Sequence, residues 1–342
     1  MKTIALLGCG GNAGMNFVKS LKMKDQKINI VGFDLDRFNL LSSNSDTKIL
    51  MSKMEDLEKV DFLNDHIQKL NIDFIHAQPD LEVKFLCEFG HLLKCSVFPH
   101  SLSEWDVFAN KHFCSINWGE KLDLSFKSFS LIEVTRDPSK WDFLFEPSGK
   151  VWCRSITGAG SKAALPITSL EQAKSWANYW VESRGMAMED FMLSEYLPGR
   201  EFAVQTFWLD GEIIHSQARE RLVYFFGNIM PSGQSSTPAV AMTISEDRVY
   251  EIAEQSIKCL VDKPNGIYCV DLKENSLGEI IPMEVNYGRF FTTSDFFSNL
   301  GMNSPFSYVN CLRDKKINSL PEKIYWIRGL DREPFLYLGD FK

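Results

Sequence analysis

Apolar and polar positions change rhythm several times along the chain, and each rhythm predicts a different element. Thr3–Leu7 is a short apolar run, Gly8–Gly14 a glycine-rich turn and Met15–Leu21 a helix. Ile28–Phe33 reads as a second strand ending at Asp34. Leu57, Val60, Leu63, Ile67 and Leu70 recur at helical spacing, and the strand Ile72–His76 follows. Asp80 is placed to cap a helix running to about Phe89, and Cys95–Phe98 gives another strand before Pro99. This alternation predicts a mainly parallel sheet covered by helices.

After Pro99 the pattern shifts. A helix is expected over Leu102–His112, then a less regular stretch to Gly149, a strand at Lys150–Ser155 and a helix over Ser169–Glu182 capped by Ser169. Strands then dominate: Phe191–Glu195, Glu201–Leu209, Ile213–Gln217 and Arg221–Phe226, with turn signals at Pro198-Gly199 and Asp210-Gly211. Gly227–Ala239 is a polar loop too long for an ordinary turn. A helix over Ser245–Leu260 precedes the strands Gly266–Leu272 and Glu279–Asn286, which flank a turn at Asn275–Gly278. The fold class is α/β with an α+β C-terminal part. The expected organisation is a Rossmann-like domain over 1–100, a central subdomain over 101–185, a C-terminal subdomain over 186–312, and a tail over 313–342 with no assigned role.

Composition narrows the function classes. With 44% hydrophobic and 24% charged residues in 342, the chain is of ordinary globular type. A net charge of −8 gives no electrostatic reason to expect nucleic acid. The eight cysteines are scattered without a CxxC pair and read as free thiols in a reducing compartment. Leu6-Leu7-Gly8-Cys9 superficially matches a lipoprotein cleavage site, but its apolar run is far shorter than the ~7–15 residues of a signal peptide. No run approaches the ~20 apolar residues of a membrane span. A cytoplasmic protein without membrane contact is expected.

The last hairpin carries the most specific chemistry. Asp271 ends one strand, and Glu284 and Asn286, two apart on the next, point to one face. The turn between them brings Asp271 within a residue or two of the register of Glu284. Two carboxylates and an amide oxygen are hard ligands suited to Mg²⁺, which also keeps waters and phosphates. An amphipathic hairpin with solvated acids is the alternative reading of the same residues.

Glu284-Val285-Asn286 followed by Arg289 resembles the C-terminal signature of the ATP-grasp superfamily, to which the carboxylate–amine ligases and carbamoyl-phosphate synthetase large subunits belong. The resemblance spans about residues 1–312. It implies that Asp271, Glu284 and Asn286 hold Mg²⁺, or Mn²⁺, and that Arg289 stabilises phosphoryl transfer, although one extra residue precedes Arg289 here. Glu195-Tyr196-Leu197-Pro198-Gly199-Arg200-Glu201 is similar to the family's hinge. There Glu195, Tyr196 and Leu197 would line the adenine slot and Glu201 would take the ribose hydroxyls. Arg154 with Gly158, Gly160 and Ser161 resembles the cation and mobile glycine loop over the phosphates, with Lys111 as a second phosphate-facing cation. Arg219 and Arg221 flank Glu220. The resemblance implies that a strand arginine here, Arg221 before Arg219, meets the γ-phosphate or the substrate carboxylate; a pair on an exposed strand face is the alternative reading.

The implied activity is an ATP-dependent ligase acting on a small carboxylate and an amine, with a homodimer as the family-level expectation. Three alternatives stay open at this point. One is a kinase of the same fold, and another a non-catalytic nucleotide-binding regulator. The third is an NAD(P)-dependent oxidoreductase, suggested by Gly8, Gly10, Gly11 and Gly14 with Asp34 about twenty residues on.

Overall fold

The computed structural model describes residues 2–158, 163–235, 237–312, 316–317, 321–329 and 335–338. Gly160 and Ser161 of the expected phosphate loop lie outside the described residues.

Among the described residues three sheets organise the chain, in a mixed α/β architecture as expected. The first is parallel, in the order Thr47–Leu50, Asn29–Asp34, Thr3–Leu7, Phe74–Ala77, Ser96–Val97. Every residue of its central strand is buried, because both faces are covered. Ile4 and Leu6 join a core with Phe17 and Leu21 of helix Asn12–Lys24, while Ala5 and Leu7 pack with Val60 and Leu63 of helix Asp56–Leu70. The first of these cores also contains Phe207, Ile267, Phe290 and Tyr308. The parallel sheet is thereby fastened to the C-terminal half.

The second sheet is antiparallel, in the order Ser128–Ser130, Phe191–Glu195, Val151–Ser155, Leu165–Ile167. The third runs Ile280–Tyr287, Gly266–Glu274, Glu201–Leu209, Glu212–Tyr224, Pro238–Thr243, Ile324–Ile327, Phe335–Leu338, with Lys316–Ile317 alongside Glu212–Tyr224.

Several expectations are corrected. The helix foreseen over Leu102–His112 is two helices, Leu102–Ala109 and Lys111–Lys121. Asn110 separates them, closing the first and capping the second by accepting from Phe113 N. The stretch before Gly149 contains helices Leu131–Arg136 and Ser139–Phe145, the former opened by a capping box between Ser130 and Glu133. Ile213–Gln217 and Arg221–Phe226 are not two strands but one, Glu212–Tyr224. The tail supplies strands to the third sheet, with Trp326 buried against Phe296.

Where the sheets meet, the Tyr308 hydroxyl lies 3.2 Å from His76 Nδ1 and 3.0 Å from His100 Nε2. Burial holds His76 well below its ordinary value, with His100 adding to the effect, and burial pushes His100 down to about 3. Below pH ~6.5 the unfolded chain takes up protons that these folded rings refuse, so stability falls as pH drops toward the folded values. Each histidine contributes at most about 1.4 kcal/mol per pH unit. Urea unfolding between pH 6 and 4.5 should therefore show a slope for the native chain about one proton steeper than for His100→Asn. Equal slopes would contradict the buried neutral ring.

Candidate active site

A cleft of about 1260 Å³ is lined from all three sheets. Its floor is one face of the third sheet, where strand alternation sets side chains in rows. Glu201 stands opposite Lys273 in one row. Two residues along, Ala203 lies between Arg219 and Asp271, and Asp271 is directly opposite Glu284. The next row holds Gln217, Gln205, Cys269 and Asn286. The three residues with metal-ligand chemistry are thus brought together on one surface.

A bulge fixes that register. Asp271 pairs with Glu284, but Leu272 pairs with Pro282, so Met283 is an extra residue on the edge strand. Its carbonyl is released from the ladder and accepts from Arg154 Nη2 at 2.5 Å. Pro282 is tolerated because this strand is the sheet edge. The turn is tied by Asn275, whose side-chain oxygen accepts from Leu277 N and Glu279 N, both at 2.9 Å.

Each metal-ligand candidate is held by an arginine. Asp271 Oδ1 is 2.5 Å from Arg221 Nη2, and Glu284 Oε2 is 3.4 Å from Arg154 Nη1. Asn286 Oδ1 accepts from Arg289, which also lies 3.1 Å from Asp80 Oδ1. Lys111, the first residue of its helix, donates from Nζ to Gly158 O at 2.5 Å, while its backbone N–H bonds Ile156 O. Burial pushes the Asp271 carboxyl up; Glu284 adds to this and Arg221 opposes it. Burial also pushes Glu284 up, but Lys111, Arg154, Arg289 and Arg221 outweigh it and hold that carboxyl below its usual range. Burial lowers Lys111 and Arg154, against the pull of Glu284. The acids are driven apart in proton affinity by the cations nearer Glu284.

Gly288 makes the extra residue before Arg289 workable. Its φ is +74°, and a Cβ there would sit 2.5 Å from Val83 Cγ1. The kink returns the chain so that Arg289 reaches both Asn286 and Asp80.

At the other end of the floor, Glu201 accepts from Lys273 Nζ and Tyr224 Oη, each at 2.5 Å, and from Gln234. Burial raises this carboxyl, yet Lys273 and Tyr224 bring it below its ordinary value. Glu195, Tyr196 and Leu197 line the same cleft. The Glu195 carboxylate is turned to the backbone, accepting from Lys127 N at 2.8 Å, and burial raises it. Gly199 passes so close to Glu274 that a Cβ would lie 2.8 Å from its carbonyl oxygen. The Asp34 carboxylate accepts from Gly10 N and Asp36 N, each at 3.0 Å. It therefore braces its own glycine loop.

Lys273, Tyr224 and Gln234 were not singled out from the sequence. Lys273 had a signal, being two residues from Asp271 on one strand face; Gln234 reaches the site from a loop whose path no local pattern specifies. Among the described residues no group of three or more His, Cys, Asp or Glu is gathered. Two adjacent carboxylates and an amide oxygen nevertheless suit Mg²⁺ that takes its remaining oxygens from phosphates and water. None of the helices among the described residues is long and apolar enough to cross a membrane.

Comparison with solved structures identifies the fold. An ADP-bound N5-carboxyaminoimidazole synthetase from Staphylococcus aureus superposes with a TM-score of 0.67 at 13% identity, over 95% of this chain and 82% of that one. An L-amino acid ligase from Bacillus licheniformis gives 0.64 at 10%, over 95% and 79%. Biotin carboxylase from Campylobacter jejuni gives 0.66 at 13%, over 95% and 74%. The chain has the ATP-grasp fold. In sequence no family model and no curated protein matches it. The likeness is therefore one of fold, at 10–13% identity to these structures.

Gly288→Ala should cost about 1–3 kcal/mol, combining a left-handed backbone with a clash. Gly278→Ala, also left-handed at φ +79° but with open space around its Cβ, should cost only the backbone strain, about 1 kcal/mol. Equal losses in denaturant unfolding would show that contact with Val83 is not what requires Gly288.

Proposed function

We propose that the protein is a Mg-ATP-dependent ligase that activates a small carboxylate as an acyl phosphate for attack by an amine or a similar nucleophile. The observation that carries this reading is the cross-strand pair Asp271–Glu284, set in a cleft with Lys111, Arg154, Arg221 and Arg289. Solved structures of the same fold include enzymes with bound ATP and ADP, which supports a nucleotide as the occupant.

The substrate carboxylate forms a bond to the γ-phosphorus as the bond to the ADP oxygen breaks. The amine then attacks the acyl carbon, and phosphate departs. Arg154 and Lys111 counter the triphosphate charge, and Arg289 and Arg221 stabilise the charge that develops in transfer, an effect worth several kcal/mol in a dry site. Glu201 accepts the ribose hydroxyls, and Glu195, Tyr196 and Leu197 flank the base. Asp271, Glu284 and Asn286 would hold Mg²⁺ or Mn²⁺, which neutralises phosphate oxygens when bound. The loop over 225–235, which brings Gln234 to Glu201, closes over the acyl phosphate and keeps water from it. A cytoplasmic homodimer is the setting we infer.

Thermal unfolding with ATP or NAD(H), each with and without Mg²⁺, tests the nucleotide. Mg-ATP should raise Tm by mass action and NAD(H) should not; the reverse would overturn the reading. In ADP-release assays with carboxylate–amine pairs, Glu284→Ala should lower kcat by about 10²-fold or more. Full turnover in that variant would contradict the metal assignment.

A further inference from the structure

The three donors on Glu201 come from elements of different kinds. Lys273 lies directly opposite it on the neighbouring strand, with Nζ 2.5 Å from Oε1. The Tyr224 hydroxyl, at the end of strand Glu212–Tyr224, donates to Oε2 at 2.5 Å. Gln234 donates from Nε2 to Oε1 and belongs to neither helix nor strand. All four residues line the cleft.

The loop that carries Gln234, over 225–235, is otherwise bonded locally. Gly227 N bonds Tyr224 O, Ile229 N and Met230 N bond Phe226 O, and Gly233 N bonds Met230 O. Among the described residues, its hydrogen bond to a distant part of the chain is the one from Gln234 to Glu201. Phe225 adds a ring beside the Arg328 guanidinium, 5.6 Å from the centroid. Phe226 and Ile229 are 54% and 71% exposed, so little apolar burial holds the loop down.

The acceptor sites of the carboxylate limit what a ribose can do there. A carboxylate has about four lone-pair sites, two on each oxygen. Lys273 and Gln234 fill those of Oε1, and Tyr224 takes one of the two on Oε2. A ribose diol brings two hydroxyl donors, so one present donor has to leave. Expelling Lys273 would strand two charges whose side chains are only 15% and 16% exposed. Tyr224 is fixed by its strand and sits on the oxygen that still has room. Gln234 is neutral and lightly tethered, so its departure costs least.

We infer that Gln234 stands in for a ribose hydroxyl on Glu201, and that a bound ribose expels it and frees the loop over 225–235 to move. Lys273 is the positioning residue of the same device, keeping the carboxylate in place while its loop partner is exchanged. This rests on the nucleotide reading of the cleft and adds a coupling to it: the sugar unlatches the loop that closes over the acyl phosphate. Because the latched form has to be broken first, Gln234 lowers the apparent affinity for nucleotide.

Mg-ADP and its 2′,3′-dideoxy analogue, which lacks both ribose hydroxyls, are the probes. Each is titrated by calorimetry against the native chain, Gln234→Ala and Lys273→Met. Gln234→Ala should bind ADP about 3–10-fold tighter, since one hydrogen bond no longer has to be broken. It should bind dideoxy-ADP as the native chain does. Lys273→Met should bind ADP more weakly and lose most of the preference for ADP over dideoxy-ADP, whereas a merely structural lysine would weaken both alike. Residues 222–245 contain no lysine or arginine, so chymotrypsin, which can cut at Phe226, reads the latch without nucleotide. Cleavage in the loop should be faster in Gln234→Ala than in the native chain. Equal cleavage, ADP binding no tighter in Gln234→Ala, or an equal gain for dideoxy-ADP overturns the proposal. Should Lys273→Met not fold, the Gln234→Ala comparison decides alone. A native chain that binds neither nucleotide would instead overturn the nucleotide reading, and this proposal with it.

Discussion

Two carboxylates opposite one another on adjacent strands, turned into a cleft, repel unless cations stand close by. Two unit charges about 4 Å apart interact by roughly 4 kcal/mol at the effective dielectric of a protein surface. The site is built around cancelling that repulsion between Asp271 and Glu284. The bulge at Met283 sets them opposite and frees a carbonyl for Arg154. Gly288 turns the chain so that Arg289 returns to Asn286. The second sheet delivers Arg154, and a separate helix delivers Lys111. Breaking such a half-buried set by removing one partner is costly, because the charge left behind has no solvent to replace it.

The same pairs explain how the cleft can accept a charged ligand. In the proposed activity, the arginines that hold the acids would move their hydrogen bonds to phosphate oxygens, which would leave Asp271 and Glu284 free to hold a divalent cation. Neither set of charges is left bare during the exchange. Glu201 has a parallel arrangement, since Lys273, Tyr224 and Gln234 occupy the oxygens that ribose hydroxyls would use.

Much of this was legible in the sequence because it rests on short-range geometry. The i, i+2 spacing of Glu284 and Asn286 put both on one face, and the Asn275–Gly278 turn limited the register of Asp271 to a residue or two. The parallel sheet followed from alternating strand and helix signals. What escaped was set by tertiary contacts. The register itself depends on a bulge that no residue type announces. The break at Asn110 was hidden because residues on both sides continue a helical pattern, and only the cap geometry separates them. Ile324–Ile327 pairs with Pro238–Thr243 across some eighty residues, so its sheet membership had no local signal.

The central proposal is that guanidinium groups occupy the oxygens of the metal-ligand candidates until phosphate draws them away. Titrating Mn²⁺ by its paramagnetic resonance signal, with and without ADP, tests it most directly. The account predicts weak Mn²⁺ binding alone, tight binding with ADP, and loss of the ADP-dependent gain in Glu284→Gln. Equally tight Mn²⁺ binding to the nucleotide-free protein would contradict it.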